Sequence, residues 1–471
     1  MTHRLRRLSV CDSVIMHSEK DPIVAIATAS GRGGVGIVRI SASPERASGM
    51  LSILFPDRVA IPRHAHLWPV YGSDGVLLDH ALVLWFPSPA SYTGESVIEI
   101  QAHGGPVLMR MIVRAVLERC TSFGVRLAEP GEFTKRAYLN GRMDLAQAEA
   151  VSDLIDAVSE SAVTAATRSL TGDFSKLICQ VGEECDELRA FVEASLDFPE
   201  EEVENLEEGK VFDRLEKLKS AIGSILITAR RGSVLREGVT VALVGSPNVG
   251  KSSLLNALAG EDVAIVTDIA GTTRDKIEHW ITIDGVPLRI VDTAGIRETE
   301  DLVEAKGIER TLQAVARADL VLHLIDASGR ICDEENVLSR VMQVVPRGVP
   351  LITVANKSDE ALLTRRPSKD EVLISARTGD GLDVLRRELL NVVGMGSTTD
   401  GLFMARERHL ECLRRASTHL DVALAMRSGL CMMELLAEEL RLAGEALGEI
   451  RGETTPDDIL GMIFSKFCIG K

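Results

Sequence analysis

Val239–Ser253 reads VTVALVGSPNVGKSS. Val239 to Val244 is a short β-branched apolar run, the pattern of a buried strand. Gly245 to Ser252 then spells G-x-x-x-x-G-K-S, and Ser253 to Ala259 continues as an apolar helix. Strand, glycine loop and helix in this order constrain the surrounding fold more than any other stretch. The glycines let the backbone curl until its N–H groups converge on phosphate oxygens. The following helix aims the positive end of its dipole at the same anion. Lys251 adds a point charge at the β- and γ-phosphates, and Ser252 offers a hydroxyl to Mg2+. The residues expected to cradle the nucleotide here are Asn248, Val249, Gly250, Lys251, Ser252 and Ser253.

Three later strand ends say which nucleotide. Leu288 to Val291 is an apolar strand leading into Asp292, Thr293, Ala294 and Gly295. The Asp292 carboxylate suits an indirect contact to Mg2+, and Gly295 lets the backbone approach a γ-phosphate. Leu351 to Ala355 delivers Asn356, Lys357, Ser358 and Asp359. A carboxylate at Asp359 can accept from guanine N1–H and the 2-amino group together. Adenine lacks that donor pair, so GTP is expected. A further strand, Leu373 to Ser375, leads into Ser375, Ala376 and Arg377. Four such motifs in order, each at a strand end, resemble the Ras-like GTPase domains. Asp268 to Asp275 (DIAGTTRD) fills the switch I position, where Thr273 would reach Mg2+. One position departs from that class. Small GTPases carry a water-orienting glutamine after D-T-A-G, and this chain has Ile296. An arginine finger contributes about 10³–10⁵ in rate, so another cation and another water-positioner are expected.

At 471 residues the chain holds about three domains by length. It is 45 % apolar and 26 % charged, an ordinary soluble balance. No run of about 18 apolar residues reads as a membrane span. Arg4, Arg6 and Arg7 precede an apolar stretch broken by Asp12, which is a poor signal peptide. Residues 1–15 read as a disordered tail or a mis-assigned start. The eight cysteines form no C-x-x-C pair, so reduced thiols in a cytoplasmic protein are expected, without zinc. The net charge of −16 excludes a bulk nucleic-acid binder. It is unevenly spread. Residues 1–140 carry 15 basic and 12 acidic side chains (+3), and residues 141–237 carry 11 and 21 (−10). The acidic run Glu200 to Glu208 reads as a solvated linker.

Residues 1–140 read as an N-terminal α/β domain. Strands are expected at Ile23 to Ala27, Ile37 to Ser41, Val76 to Phe86 and Ser96 to Gln101. Gly31, Gly33 and Gly36 match G-x-G-x-x-G, but a strand follows where the dinucleotide fingerprint needs a helix. They are expected to form a loop between strands. His103 to Pro106 opens a helix running to Cys120. His103 reads as a structural histidine at that helix start, with a catalytic base as the alternative. Helical periodicity fills Leu145 to Asp197, weakened at Gly172 and Gly182, and Val211 to Ala229. It returns at Ala405 to Met426, Cys431 to Ile450 and Asp457 to Phe467, after a linker at Gly394 to Gly401. The expected layout is therefore a multidomain α/β plus α chain with a helical bundle split by an inserted GTPase domain. The domain boundaries are 1–140, 141–236 (helical, first part), 237–395 (GTPase) and 396–471 (helical, second part). The chain ends FCIGK, where Cys468 reads as a buried thiol or, beside Lys471, as a partly ionised reactive one.

This layout, with GRGGVGIVRIS (Gly31 to Ser41), PGEFTKRAYLNGRMDLAQAEA (Pro130 to Ala150), DIAGTTRD and FCIGK, resembles the tRNA-modification GTPase family MnmE, also called TrmE. The resemblance spans nearly the whole chain after residue 20. It implies action with an MnmG-type flavoprotein, which carries FAD, on tRNA. The product is an aminomethyl or carboxymethylaminomethyl group at C5 of the wobble uridine, position 34. It implies a folate-binding-like N-terminal domain that dimerises and holds a tetrahydrofolate derivative, of 5,10-methylene or 5-formyl type. Arg39, Glu99 and Lys471 would contact the folate, and Arg142 stands where the family has a lysine. It further implies GTP contacts from Thr267, Asp268, Ile269, Ala270, Gly271, Thr272 and Thr273. K+ would replace the arginine finger, held by the Asn248 side chain and oxygens of Thr267, Ile269 and Thr272. Glu304 matches the residue that orients water. Read without the resemblance, Glu304 is a surface carboxylate in an acidic segment. Cys468 becomes a candidate nucleophile.

Two other classes compete. A GTP-switched RNA-binding factor in ribosome assembly would carry a basic RNA module, whereas residues 141–237 balance at −10. A membrane-remodelling GTPase would carry a lipid-facing helix or anchor.

Overall fold

The computed structural model describes residues 20–197, 208–246, 248–259, 278–292, 316–329, 339, 342–360, 371–395, 401–428, 433–453, 457–465 and 467–470. The chain divides into two compact units, residues 1–148 with 455–471, and residues 149–454.

The first unit is built on a six-stranded sheet. Its strands are β1 (Ile23–Ile26), β2 (Gly33–Ala42), β3 (His66–Tyr71), β4 (Leu77–Phe86), β5 (Ser96–Gly104) and β6 (Arg126–Leu127). They lie in the order β3-β4-β5-β2-β1-β6, all antiparallel except the β1–β6 pair. Alternation decides which residues face inward. Val38, Ile40, Ile98 and Ile100 are buried in one core with Met50 and Leu54 of α1 (Pro44–Leu54) and Met109 and Ile112 of α2 (Pro106–Arg119). Arg39 and Glu99 take intervening positions, so their side chains leave this core from the opposite face of the sheet. α3 (Glu132–Leu139) places Phe133 in a smaller core with Ile23, Ala25 and Ala128.

Three expectations for this unit change. Gly33 and Gly36 lie inside β2, not in a loop. The close approach they allow is internal, since a Cβ on Gly36 would collide with the Met109 side chain. His103 lies in β5, one residue before the strand ends, instead of starting a helix, and its side chain is 79 % exposed. The C-terminal helix Asp457–Ser465 and the tail after it group with this unit, not with the second half of the bundle. The reason is steric: Gly131, at φ 68°, leaves room for Phe464 and Phe467, and a Cβ there would lie 2.6 Å from the Phe464 carbonyl.

In the second unit, α4 (Leu145–Asp156) continues out of the first. Then follow α5 (Glu160–Leu170), α6 (Asp173–Asp197) and α7 (Glu208–Glu237). The helical stretch expected over 145–197 is thus three helices, broken at the weak point Gly172 and also before Ser159, and continuous through Gly182. Ser159 caps α5 by accepting from the Ala162 N–H at 3.2 Å, and Gly172, at φ 87°, turns the chain between α5 and α6. α6, α7 and the helices Glu407–Ala425 and Met433–Arg451 pack as a bundle around Ile178, Leu188, Leu215, Ile222, Leu413, Leu420, Leu440 and Leu447.

After α7 the chain enters a second six-stranded sheet. It holds β7 (Val239–Val244), β8 (Glu278–Ile283), β9 (Val286–Asp292), β10 (Leu320–Asp326), β11 (Leu351–Asn356) and β12 (Glu371–Leu373). The order is β12-β11-β10-β7-β9-β8, parallel except for the β8–β9 hairpin. β12 ends at Leu373, two residues before the expected strand end, because Ser375 is already in a turn closed by its N–H to the Asp380 carbonyl. α8 (Lys251–Ala259) and the helix Leu382–Val392 flank the sheet. Ile281, Ile283, Val286 and Leu288 join β7 and β10 in a core that also takes in Leu235 of α7 and Ala162 and Ala165 of α5, which packs on α6 and α7 at the edge of the bundle. Each such aliphatic side chain contributes about 1.5–3 kcal/mol on full burial.

Candidate functional site

β7 ends in the glycine loop, and α8 begins at Lys251, so the loop closes directly onto a helix N-terminus. Asn248 and Gly250 have φ of 65° and 99°, the left-handed region that lets consecutive N–H groups turn to one side. Val249 is fully buried and anchors the loop. Lys251 is also buried. Its Nζ donates to the carbonyls of Gly245 (2.6 Å) and Ser246 (3.1 Å). Ser252 and Ser253 are exposed on the first turn of α8.

The guanine loop is tied to this one by Asn356. Its Nδ2 donates to the Val249 carbonyl at 2.8 Å, and its Oδ1 accepts from the Ala376 N–H at 3.0 Å. A Cβ on Gly250 would strike that Nδ2. Lys357, at φ 66°, donates from Nζ to Asp326 Oδ2 at 3.0 Å. Ser358 N–H bonds the Ile374 carbonyl at 3.0 Å. Asp359 accepts from Ser375 Oγ at 2.7 Å through Oδ1, and Arg377 Nη2 lies 2.5 Å from Oδ2. The Ser375 hydroxyl, with help from Arg377, holds the Asp359 carboxyl below its usual range, so it is an acceptor at neutral pH. Asn248, Val249, Gly250, Lys251, Asn356, Lys357, Ser358, Asp359, Ser375, Ala376 and Arg377 thus converge at the C-terminal ends of β7 and β11.

Sequence reasoning passed over Asp326 and Ser328. Asp326 ends β10 and accepts from the Ser328 N–H (2.8 Å) and hydroxyl (2.6 Å) as well as from Lys357. Burial opposes its ionisation, but those bonds prevail and keep its carboxyl below the usual range. The signal was present: an apolar run closing in aspartate, like the run that ends at Asp292. Pro247, Thr267, Asp268, Ile269, Ala270, Gly271, Thr272, Thr273, Thr293, Ala294, Gly295, Ile296, Glu304 and Lys471 lie outside the described residues, as does the side chain of Asp292.

In the first unit, the β2–β5 register sets Arg39 opposite Glu99. Arg39 Nε lies 2.9 Å from Glu99 Oε1, and Arg39 Nη1 donates to the Gly470 carbonyl at 3.3 Å. The guanidinium stands 5.5 Å from the ring centre of Tyr92 and 5.8 Å from that of Phe133. Burial pushes the Tyr92 phenol above its usual range, against its bond to Thr134 Oγ1 at 2.8 Å. The tail reaches Arg39 through a bridge between Pro130 and Ile469 and the Gly131 N–H to the Cys468 carbonyl (3.4 Å). Gly470, at φ 99°, is required, since a Cβ would collide with the Ile26 carbonyl. Cys468 is exposed, which removes the buried-thiol expectation. Arg142 is exposed beside Gly94. The donor set fits a folate head group: Glu99 can accept from an amino-pyrimidine edge, and Arg39 can donate to a carbonyl. His103 Nδ1 lies 2.9 Å from Asp79 Oδ2, a surface pair.

Two family models cover the chain: "MnmE helical domain" matches residues 145–468, and "GTP-binding protein TrmE N-terminus" matches residues 22–142. The chain is 49 % identical over 469 residues to a tRNA modification GTPase MnmE of Burkholderia lata, covering 97 % of this chain and 100 % of that one. It is 48 % identical over 478 residues to that of Cupriavidus necator, with the same coverage.

The chain belongs to the MnmE family.

Among solved structures, Era of Aquifex aeolicus is 29 % identical over 38 % of this chain and 66 % of that one, with a TM-score of 0.26. The G domain of the T. maritima FeoB iron transporter is 26 % identical over 33 % and 98 %, with a TM-score of 0.25. Scores this low carry no fold argument. The MnmE assignment rests on the matches along the chain.

Proposed function

We propose that this member of the MnmE family binds GTP with Mg2+ and K+, hydrolyses it, and spends the cycle on C5 of the wobble uridine of certain tRNAs. The chain is a GTPase with a role in tRNA modification. The observation that carries the nucleotide reading is the Asn356 amide, which locks the phosphate loop to the loop that presents Asp359 and Ala376. Ser252 and Thr273 would hold Mg2+, which offsets charge on the β- and γ-phosphates when bound. The Asn248 side chain, with oxygens of Thr267, Ile269 and Thr272, would hold K+ where other GTPases use an arginine. Glu304 would orient the attacking water.

Arg39, Glu99, Arg142 and Lys471 would hold a tetrahydrofolate derivative as one-carbon donor, with the Cys468 thiol exposed near the tail's contact with Arg39. The partner is a flavoprotein of the MnmG type, which supplies FAD. The protein acts as a homodimer in the cytoplasm. No helix among the described residues is long and apolar enough to cross a membrane. The deciding experiment is nucleoside mass spectrometry of tRNA from cells with and without the gene. Loss of 5-aminomethyl-type wobble uridines on deletion, restored by the wild-type gene, supports this reading. Unchanged uridines refute it.

A further inference from the structure

The β8–β9 hairpin connects the two motifs expected to sense the γ-phosphate. β8 begins at Glu278, just past Asp275 of DIAGTTRD, and β9 ends on Asp292 of D-T-A-G. Its far end is seated in the helical bundle by three independent features. At the tip, Asp284 and Gly285 form a two-residue turn with φ of 48° and 83°. Ser159 Oγ donates to the Gly285 carbonyl at 2.7 Å while accepting from the Ala162 N–H. The seat is tight, because a Cβ on Gly285 would collide with Ser161 Oγ. Along one edge, Trp280 covers Gly238, the junction of α7 and β7, where a Cβ would lie 2.7 Å from the indole. Beneath, Ile281, Ile283, Val286 and Leu288 share a core with Ala162, Ala165, Ala166 and Leu235.

We propose that this hairpin is the lever that carries the nucleotide state of the GTPase sheet into the helical bundle, with the Ser159–Gly285 contact as its joint. The proposal rests on the GTP reading above and adds the route by which the cycle leaves the sheet. A six-pair antiparallel ribbon packed on a dense core does not deform continuously. A shift imposed at its base therefore appears at its tip, as packed interfaces convert small displacements into discrete rearrangements. Ser159 belongs to both sides of that joint, because one hydroxyl caps α5 and grips the tip. Ser159 is a positioning residue, with no part in holding nucleotide.

Substitution can separate its two duties. Aspartate is a good N-cap but, ionised, has no proton to give the Gly285 carbonyl, whereas threonine retains both functions. The experiment is hydrogen–deuterium exchange on the full chain, with and without a non-hydrolysable GTP analogue and Mg2+. In the wild type, residues 245–259, 278–292 and 159–170 should all respond. In Ser159→Asp the first two should respond as before and GTP turnover should be kept. The response of 159–170 should fall about 2- to 10-fold, the weight of one hydrogen bond in an equilibrium. Ser159→Thr should restore it. An undiminished response of 159–170 in Ser159→Asp overturns the joint. A wild-type protein in which 245–259 responds and 159–170 does not overturns the lever. No response in 245–259 overturns the GTP reading itself, and the lever with it.

Discussion

Asn356 spans the phosphate loop and the Ser375–Arg377 turn with a single amide, and it is 2 % exposed. Asn356→Ala would orphan the Val249 carbonyl and the Ala376 N–H, at about 1–3 kcal/mol for each buried group. GTP affinity should fall at least tenfold by calorimetric titration, with a lower melting temperature. Wild-type affinity would refute the tie. Arg377 works the other way. Its guanidinium occupies the Asp359 oxygen that guanine would share, and it is 74 % exposed. An exposed ion pair of this kind is weak and open to screening. Arg377→Ala should therefore tighten GDP binding by up to about fivefold at low salt, and less at high salt, as screening removes the competitor. Weaker binding in the variant would mean that Arg377 serves the bound state instead.

At the scale of elements, α4 and the start of the helix Glu407–Ala425 are joined by buried charge. Glu149 is 1 % exposed and lies 2.7 Å from Arg408 Nη2 and 2.8 Å from His409 Nε2. Asp153 holds Arg236 at 2.9 Å and Arg406 at 2.7 Å. Burial opposes ionisation of Glu149, but His409 and Arg408 keep its carboxyl well below the usual range. Burial, with the Arg408 and Arg406 charges, lowers His409 against the pull of Glu149. The geometry agrees. His409 Nδ1 accepts from the Arg406 N–H at 3.1 Å, so a second ring proton would face a donor. The unfolded chain thus binds a proton that the folded chain refuses. Stability is full above the unfolded histidine value of about 6.5 and falls as pH drops through it. Glu149 contributes in the same sense, losing its share only at much lower pH. His409→Gln should flatten the melting-temperature profile between about pH 7.5 and about pH 5.5. An unchanged slope would place the titrating group elsewhere.

For the whole molecule, the edge of the first sheet is apolar where a lone subunit would be polar. Leu67 pairs with Leu82 across β3 and β4, at 66 % and 42 % exposed, and Tyr71 pairs with Leu77 farther along, with the Pro69–His80 pair between. Such a patch marks an interaction surface, and it suits the homodimer proposed above. Leu82→Glu should shift sedimentation from dimer to monomer at micromolar concentration while the melting temperature holds. A dimer that persists would move the interface to another face.

The sequence by itself determined whatever is encoded by neighbours. β7, the glycine loop and α8 read correctly because strand period, left-handed positions and helix start are local. The Asp284–Gly285 hairpin was equally legible, an Asp-Gly between two strands, and was passed over. The break at Gly172 was legible from the glycine, whereas the one before Ser159 was hidden because apolar periodicity persists across it. Only the tertiary structure decided the rest. Arg39 meets Glu99 through the β2–β5 register, 60 residues apart. Asn356 reaches Val249 across 107, and the Gly470 carbonyl reaches Arg39 across 431. A side chain's own neighbours set its backbone angles. Which distant chain it touches depends on strand order and on where a glycine leaves room, and neither is written in any short stretch.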